Sequence, residues 1–204
     1  MGFLSSSIGK KYVMGLAGLV WTGFVAGHMA GNMLIFAGPE AFNRYGHAIV
    51  SNKALLYGTE AVLLTALIVH VVLAVLLTRE NRKAKPNKYA EMAGTKKRSN
   101  LASRTMAVHG SIILAFIIYH LITFKYGPHY QVEYDGEVMR DLYRLVIEVF
   151  HDPAYVVGYV ICLILLGIHL RHGAWSVFQS FGINHPRYTP VLKTCAIVYA
   201  VIVA

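Results

Sequence analysis

The sequence predicts an all-α integral membrane protein, a bundle of five transmembrane helices with residues 1–204 as one domain. Three observations carry that expectation. Of the 204 residues, 56% are hydrophobic and only 14% are charged, which is far from the composition of a soluble domain. The apolar residues gather into five runs separated by polar segments. Four of those runs each hold a histidine deep inside, where an ionisable ring without a partner is expensive and therefore points to function.

The runs follow in order. Residues 12–36 contain no charge, residues 54–78 contain Glu60 as their only charge, residues 105–124 are uncharged, and residues 154–178 are broken only by Arg171. A span needs about 20 residues at about 1.5 Å rise each, so these four qualify. The fifth run begins near Tyr188 and continues to Ala204, interrupted by Lys193; it is expected to be a span that is short, tilted or cut at its C-terminus. Residues 1–12 lack the short apolar stretch and small-residue cleavage site of a secretory signal, so the first span is expected to stay in the mature chain.

The loops set the orientation. Arg79, Arg82, Lys83, Lys85, Lys88, Lys96, Lys97, Arg98 and Arg104 lie between spans two and three, and Lys10 and Lys11 precede span one. Glu133, Asp135, Glu137, Asp141, Glu148 and Asp152 lie between spans three and four. The positive-inside rule then places the N-terminus and the basic loop in the cytoplasm, and the acidic segment and the 38–53 loop outside. Residues 141–150 have helical spacing and are expected to lie on the membrane surface. The net charge of +9 is not a nucleic-acid footprint, because the bases gather in one loop rather than over a soluble face. Cys162 and Cys195 both sit in apolar runs, and no C-x-x-C-H or cysteine cluster is present, which excludes covalent haem and a cysteine-held iron–sulfur or zinc site.

Counting residues sorts the histidines into two layers. His70 is nine residues before Arg79 and His169 nine before Phe178, about 13 Å from the cytoplasmic ends of their helices. His28 is ten before Gly38 and His120 seven before Gly127, about 10–15 Å from the outer ends. One imidazole in a membrane helix commonly just bonds a neighbouring helix. Four that pair by depth on different helices suggest two metal centres, each held by two imidazoles, and haem iron accepts that ligand set inside helical bundles. His109 lies about 7 Å above Arg104, too shallow for the layer of His120. His172 and Arg171, beside His169, are candidates for a haem propionate or a loop contact. His47, His129, His151 and His185 fall in expected loops. Gly23, Gly27 and Gly31 form a small-residue face beside His28, and Gly173 follows His169 by four; such residues serve close helix packing or let a flat cofactor approach the backbone. Glu60 lies about 9 Å into span two from its outer end. It is a candidate for proton exchange with a quinone near the outer layer, the structural alternative being a bond to a neighbouring helix or to the Asn43-Arg44 segment.

With these residues in place the chain resembles the membrane-anchor cytochrome b subunit of succinate dehydrogenase and fumarate reductase, of the single-chain, five-helix, two-haem type. The matching stretches are Gly27-His28-Met29-Ala30-Gly31-Asn32, Val69-His70, Ser103-Arg104-Thr105-Met106, Tyr119-His120-Leu121 and His169-x-x-x-Gly173-x-Trp175. The resemblance covers essentially the whole chain, although the fifth span ends early. It implies two non-covalent haem b groups, with His28 and His120 on the outer iron and His70 and His169 on the cytoplasmic-side iron. Arg104, Arg171 and His172 are the candidates for propionate contacts. The resemblance also implies a flavoprotein subunit and an iron–sulfur subunit on the cytoplasmic side, electron transfer between them and membrane quinone, and the bacterial cytoplasmic membrane as the location. The two-haem type points to menaquinone, and a dimer of the whole complex stays open. The succinate or fumarate chemistry would belong to another subunit.

Two other functions are weighed against this one. A quinol:cytochrome c oxidoreductase core carries two ligands on each of two helices, whereas here each helix carries one well-placed ligand; other haem-b anchors, such as those of hydrogenases or formate dehydrogenases, stay open. A transporter built on broken helices needs mid-membrane interruptions, and spans one to four contain no internal proline.

Overall fold

A computed structural model of the chain describes residues 2–3, 6–83 and 101–204, the last segment with its side chains from Thr105 onward. Most of it is helix. α1 runs Ser7–Asn32 and tightens into a 3-10 turn, Met33–Ala37. α2 is Pro39–Ser51, α3 is Lys53–Lys83, and α4 is Leu101–His120, continued by a π-helical turn, Leu121–Lys125. Strands β1 (Gln131–Tyr134) and β2 (Glu137–Arg140) form a hairpin. α5 (Leu142–Phe150), α6 (Pro153–Ser180) and α7 (Thr189–Val203) complete the chain.

Four of these segments are long and apolar enough to cross a membrane: 7–37, 53–83, 105–125 and 153–180. Their outward faces carry exposed Val62, Ile68, Val72, Val160, Ile161 and Ile164, the surface a hydrocarbon solvent accepts. The chain is therefore a multi-pass membrane protein by length and composition. The fifth expected span is α7, whose 15 residues extend only about 22 Å, less than a hydrocarbon core of about 30 Å. Lys193, which interrupts its apolar run, lies 4.6 Å from the ring centre of Trp175 on α6, so its charge finds an aromatic face. Leu170, Ala200 and Val203 form the buried seam where α7 meets α6, with Val25, Ala26 and Met29 of α1 against it.

The four long helices form a ring. α1 packs on α3 and on α6, α4 packs on α6, and α3 touches α4 over a short stretch. α1 therefore stands diagonally opposite α4, and α3 opposite α6. Cross-links hold the ring in register. Trp21 Nε1 donates to the Leu63 carbonyl at 3.1 Å, Tyr199 Oη donates to the Thr22 carbonyl, and Lys10 pairs with Glu80.

One end of the ring is capped, and here the structure departs from the expected loops. The 38–53 segment, read as a loop, contains α2, which begins with Pro39 at its first turn and Glu40 beside the helix N-terminus, both favourable there. The acidic segment contains a β-hairpin, an exception to the all-α expectation. Its turn is Asp135-Gly136, both with positive φ (52° and 81°), the backbone a two-residue hairpin turn requires and glycine adopts without strain. α5 falls where helical spacing was expected. Its Asp141 cap accepts from the Arg144 N–H at 3.0 Å, and Leu145 on its inner face is 1% exposed.

Asn43 pins the cap together. It is fully buried, donates from Nδ2 to Asp141 Oδ1 at 2.9 Å and to Tyr134 Oη at 3.4 Å, and accepts from the Tyr143 N–H at 2.9 Å. One side chain thereby joins α2, the hairpin and α5. His47, expected in a loop, lies on α2 with Nε2 3.2 Å from Glu137.

Candidate functional site

Diagonal packing brings the four deep histidines together in two pairs. The ring centres of His28 on α1 and His120 at the end of α4 are 5.7 Å apart, with planes at 84°. Those of His70 on α3 and His169 on α6 are 6.3 Å apart at 60°. The first pair lies toward the capped end and the second toward the opposite end. These are the pairs that depth counting groups.

The spacing bears on what could sit between the rings. A metal–nitrogen bond of about 2 Å on each side, with about 1.1 Å from nitrogen to ring centre, puts two axial imidazoles about 6 Å apart. Both pairs match. Among the described residues no group of three or more His, Cys, Asp or Glu side chains comes together as a metal cluster. Each pair supplies two ligands, which suits a metal whose other ligands come from a porphyrin.

The neighbours of the rings fit that use. His70 Nδ1 lies 3.1 Å from the Met14 carbonyl, which can only accept, so Nδ1 carries the proton and Nε2 is left with its lone pair. Gly18 allows this contact: a Cβ there would stand 3.3 Å from His70 Cε1. His120 Nδ1 lies 3.2 Å from Tyr159 Oη. Phe24 stacks on His28 at 5.4 Å. The small-residue face divides in two. Gly31 lies under the Tyr45 phenol, while a Cβ at Gly23, Gly27 or Gly173 would meet no atom within 4 Å. Close packing is thus the reason for Gly31 on this face, while Gly23 and Gly27 are exposed.

The remaining expected site residues are placed as follows. A Cβ at Gly110, next to His109, would stand 3.6 Å from His169 Cε1, and among the described residues the Nδ1 atoms of His109 and His169 are buried with no hydrogen-bond partner. His109 therefore belongs beside the His70–His169 level. Arg171 is exposed on α6. The side chain of Arg104, and Lys85, Lys88, Glu91, Lys96, Lys97 and Arg98 of the basic loop, lie outside the described residues. Glu60 pairs with Lys125 of the π turn at 2.5 Å and not with Arg44, which is held by Glu40 and Asp135.

Three features of the site were not anticipated. The π turn begins directly after His120, and such turns are frequent at functional sites because they shift the helix register by one residue. Tyr119, Tyr155 and Tyr159 stack in a row toward His120, with Tyr155 Oη bonded to Thr123 Oγ1 at 2.9 Å. A cavity of about 520 Å³ opens beside this row, lined by Tyr119, Thr123, Tyr126, Tyr130, Glu148 and Tyr155 among others. Lys125 lies 5.4 Å from the centre of the Tyr126 ring, so the Glu60–Lys125 pair stands next to the cavity wall.

Comparisons with known protein families, with curated proteins and with solved structures find no match for this chain.

Proposed function

We propose that the chain is a di-haem cytochrome b membrane anchor that passes electrons between a soluble iron–sulfur partner and membrane quinone, as part of a succinate:quinone oxidoreductase. The observation that supports it most is the double pairing: two imidazole pairs, on the two diagonals of one helical ring, each at the separation of axial ligands. When bound, two haem b groups would supply two one-electron stations, one at each histidine pair. The protein's own part is to present Nε2 atoms in pairs, to hold the tautomer of His70 through Met14, and to keep the rings in an apolar bundle. Arg104, Arg171 and His172 remain the candidates for propionates.

On this reading the N-terminus and the basic 79–104 segment face the cytoplasm, where a flavoprotein and an iron–sulfur subunit dock. The membrane is the bacterial cytoplasmic one, and α7 is its fifth, short helix. The quinone ring, of the menaquinone type by resemblance, enters the tyrosine-lined cavity at the capped end. Glu60 stands beside the wall of that cavity with Lys125 and exchanges protons with outside water. The test is purification in mild detergent from its native membrane. The expected preparation contains two haem b per chain by pyridine haemochrome assay, low-spin spectra, and a co-purifying flavoprotein and iron–sulfur protein. A chain without haem overturns the proposal; haem with a different soluble partner keeps the cytochrome and overturns the succinate assignment.

A further inference from the structure

The two histidine pairs have different surroundings. His70 Nδ1 meets a backbone carbonyl, an acceptor with no proton of its own. His120 Nδ1 meets a phenol, Tyr159 Oη, at 3.2 Å. Tyr159 is 9% exposed, and its orientation is fixed from several sides. Phe116 and Phe150 each meet it edge to face at 4.9 Å, Phe124 meets it at 6.2 Å and 90°, and Tyr155 stacks on it at 5.9 Å. Those rings come from α4, its π turn, α5 and α6. A phenylalanine would make the same ring contacts, so what the tyrosine adds is the hydroxyl, and the packed rings fix where it points.

Resting on the di-haem reading, we propose that Tyr159 is the positioning residue of the capped-end centre, setting its redox potential through the His120 ring. An imidazole bound through Nε2 carries its remaining proton on Nδ1, so the proton points at Tyr159 and the phenol oxygen accepts it. Accepting that bond increases electron density on the ring and makes it a stronger donor, which favours the higher oxidation state of a bound metal. It also fixes the rotation of the His120 ring, held at 84° to His28. No proton leaves either group; the effect is a hydrogen bond of fixed direction in an apolar site, where such bonds are strong.

The test is redox titration with low-spin EPR on the intact complex carrying Tyr159→Phe. This change keeps the aromatic packing and removes only the acceptor. Haem content is expected to stay at two per chain, the midpoint potential of the capped-end centre to rise, and its low-field EPR feature to move, while the other centre keeps both properties. Tyr199→Phe, which removes a phenol bonded to the Thr22 carbonyl, is expected to change neither. If Tyr159→Phe does not assemble, 3,5-difluorotyrosine at position 159 decides, because it keeps the hydroxyl, weakens it as an acceptor and is expected to raise the same potential less. Unchanged potential and EPR signals in both overturn the role of Tyr159. A wild-type complex without haem overturns the function on which the role rests, and is seen before any substitution is made.

Discussion

At the scale of single residues, the proposed chemistry would rest on four rings and, for His70 and His120, on what the second nitrogen touches. Replacing His70 or His169 with Ala is expected to lower haem content from two to one per chain, leaving the capped-end spectrum. His28→Ala or His120→Ala is expected to leave the other. Losing one of two axial ligands removes both affinity and the low-spin state. His109→Ala is the informative control. Among the described residues its Nδ1 is buried without a partner, one residue from Gly110, which faces His169, so the substitution removes an unsatisfied group and both haems are expected to remain. A His109→Ala preparation with one haem would reassign the ligands. Which rings meet was legible in the sequence, because position along a straight helix converts directly into depth. The partners of those rings were not. Tyr159 is one of two tyrosines in its apolar run, and Lys125 is 65 positions from Glu60 in sequence, so neither contact has a local signature.

At the scale of elements, two positions show how packing supports the site. Gly18 lets the ring of His70 lie against α1, where a Cβ would already stand 3.3 Å away. Gly18→Val adds branches that must displace the ring or the helix. It is expected to lose the His70–His169 haem while the other remains, as read by the same haem assay; two haems in this variant would mean that the bond to Met14 is dispensable. Asn43→Ala acts on the cap. It takes the acceptor from the Tyr143 N–H and one of two donors from Asp141 Oδ1, which keeps the Arg144 N–H, at a cost of about 1–3 kcal/mol for the donor left unsatisfied. The expected result is a lower thermal midpoint with earlier proteolysis in the capped region and unchanged haem content. The cap was also the least legible part of the fold. α2 is short and polar on one side, so it lacks the long apolar run that marks a span. The hairpin is signalled only by Asp135-Gly136 between two four-residue strands, a weak pattern within an acidic segment.

At the scale of the whole molecule, the ring of helices separates two levels along the membrane normal, and the capped level adjoins the tyrosine-lined opening and the Glu60–Lys125 ion pair. Glu60 can act there in two ways. As a clamp it ties α3 to the π turn through Lys125. The pair is more than a third exposed on both sides, so solvent screens it and its contribution to stability is small. As a proton carrier it would exchange protons between a quinone ring in the neighbouring cavity and outside water. Two substitutions separate these uses. Glu60→Gln keeps the shape and the hydrogen-bonding reach but removes the exchangeable proton, whereas Lys125→Gln breaks the same ion pair and leaves the carboxyl in place. If Glu60 is a clamp, the two variants behave alike. If it carries protons, Glu60→Gln loses quinone-linked turnover in the intact complex, with haem content and succinate oxidation by an artificial acceptor retained, and Lys125→Gln keeps most of that turnover. Wild-type quinone turnover in Glu60→Gln would place the proton route elsewhere, with Glu148, which lines the cavity, as the next carboxylate to replace.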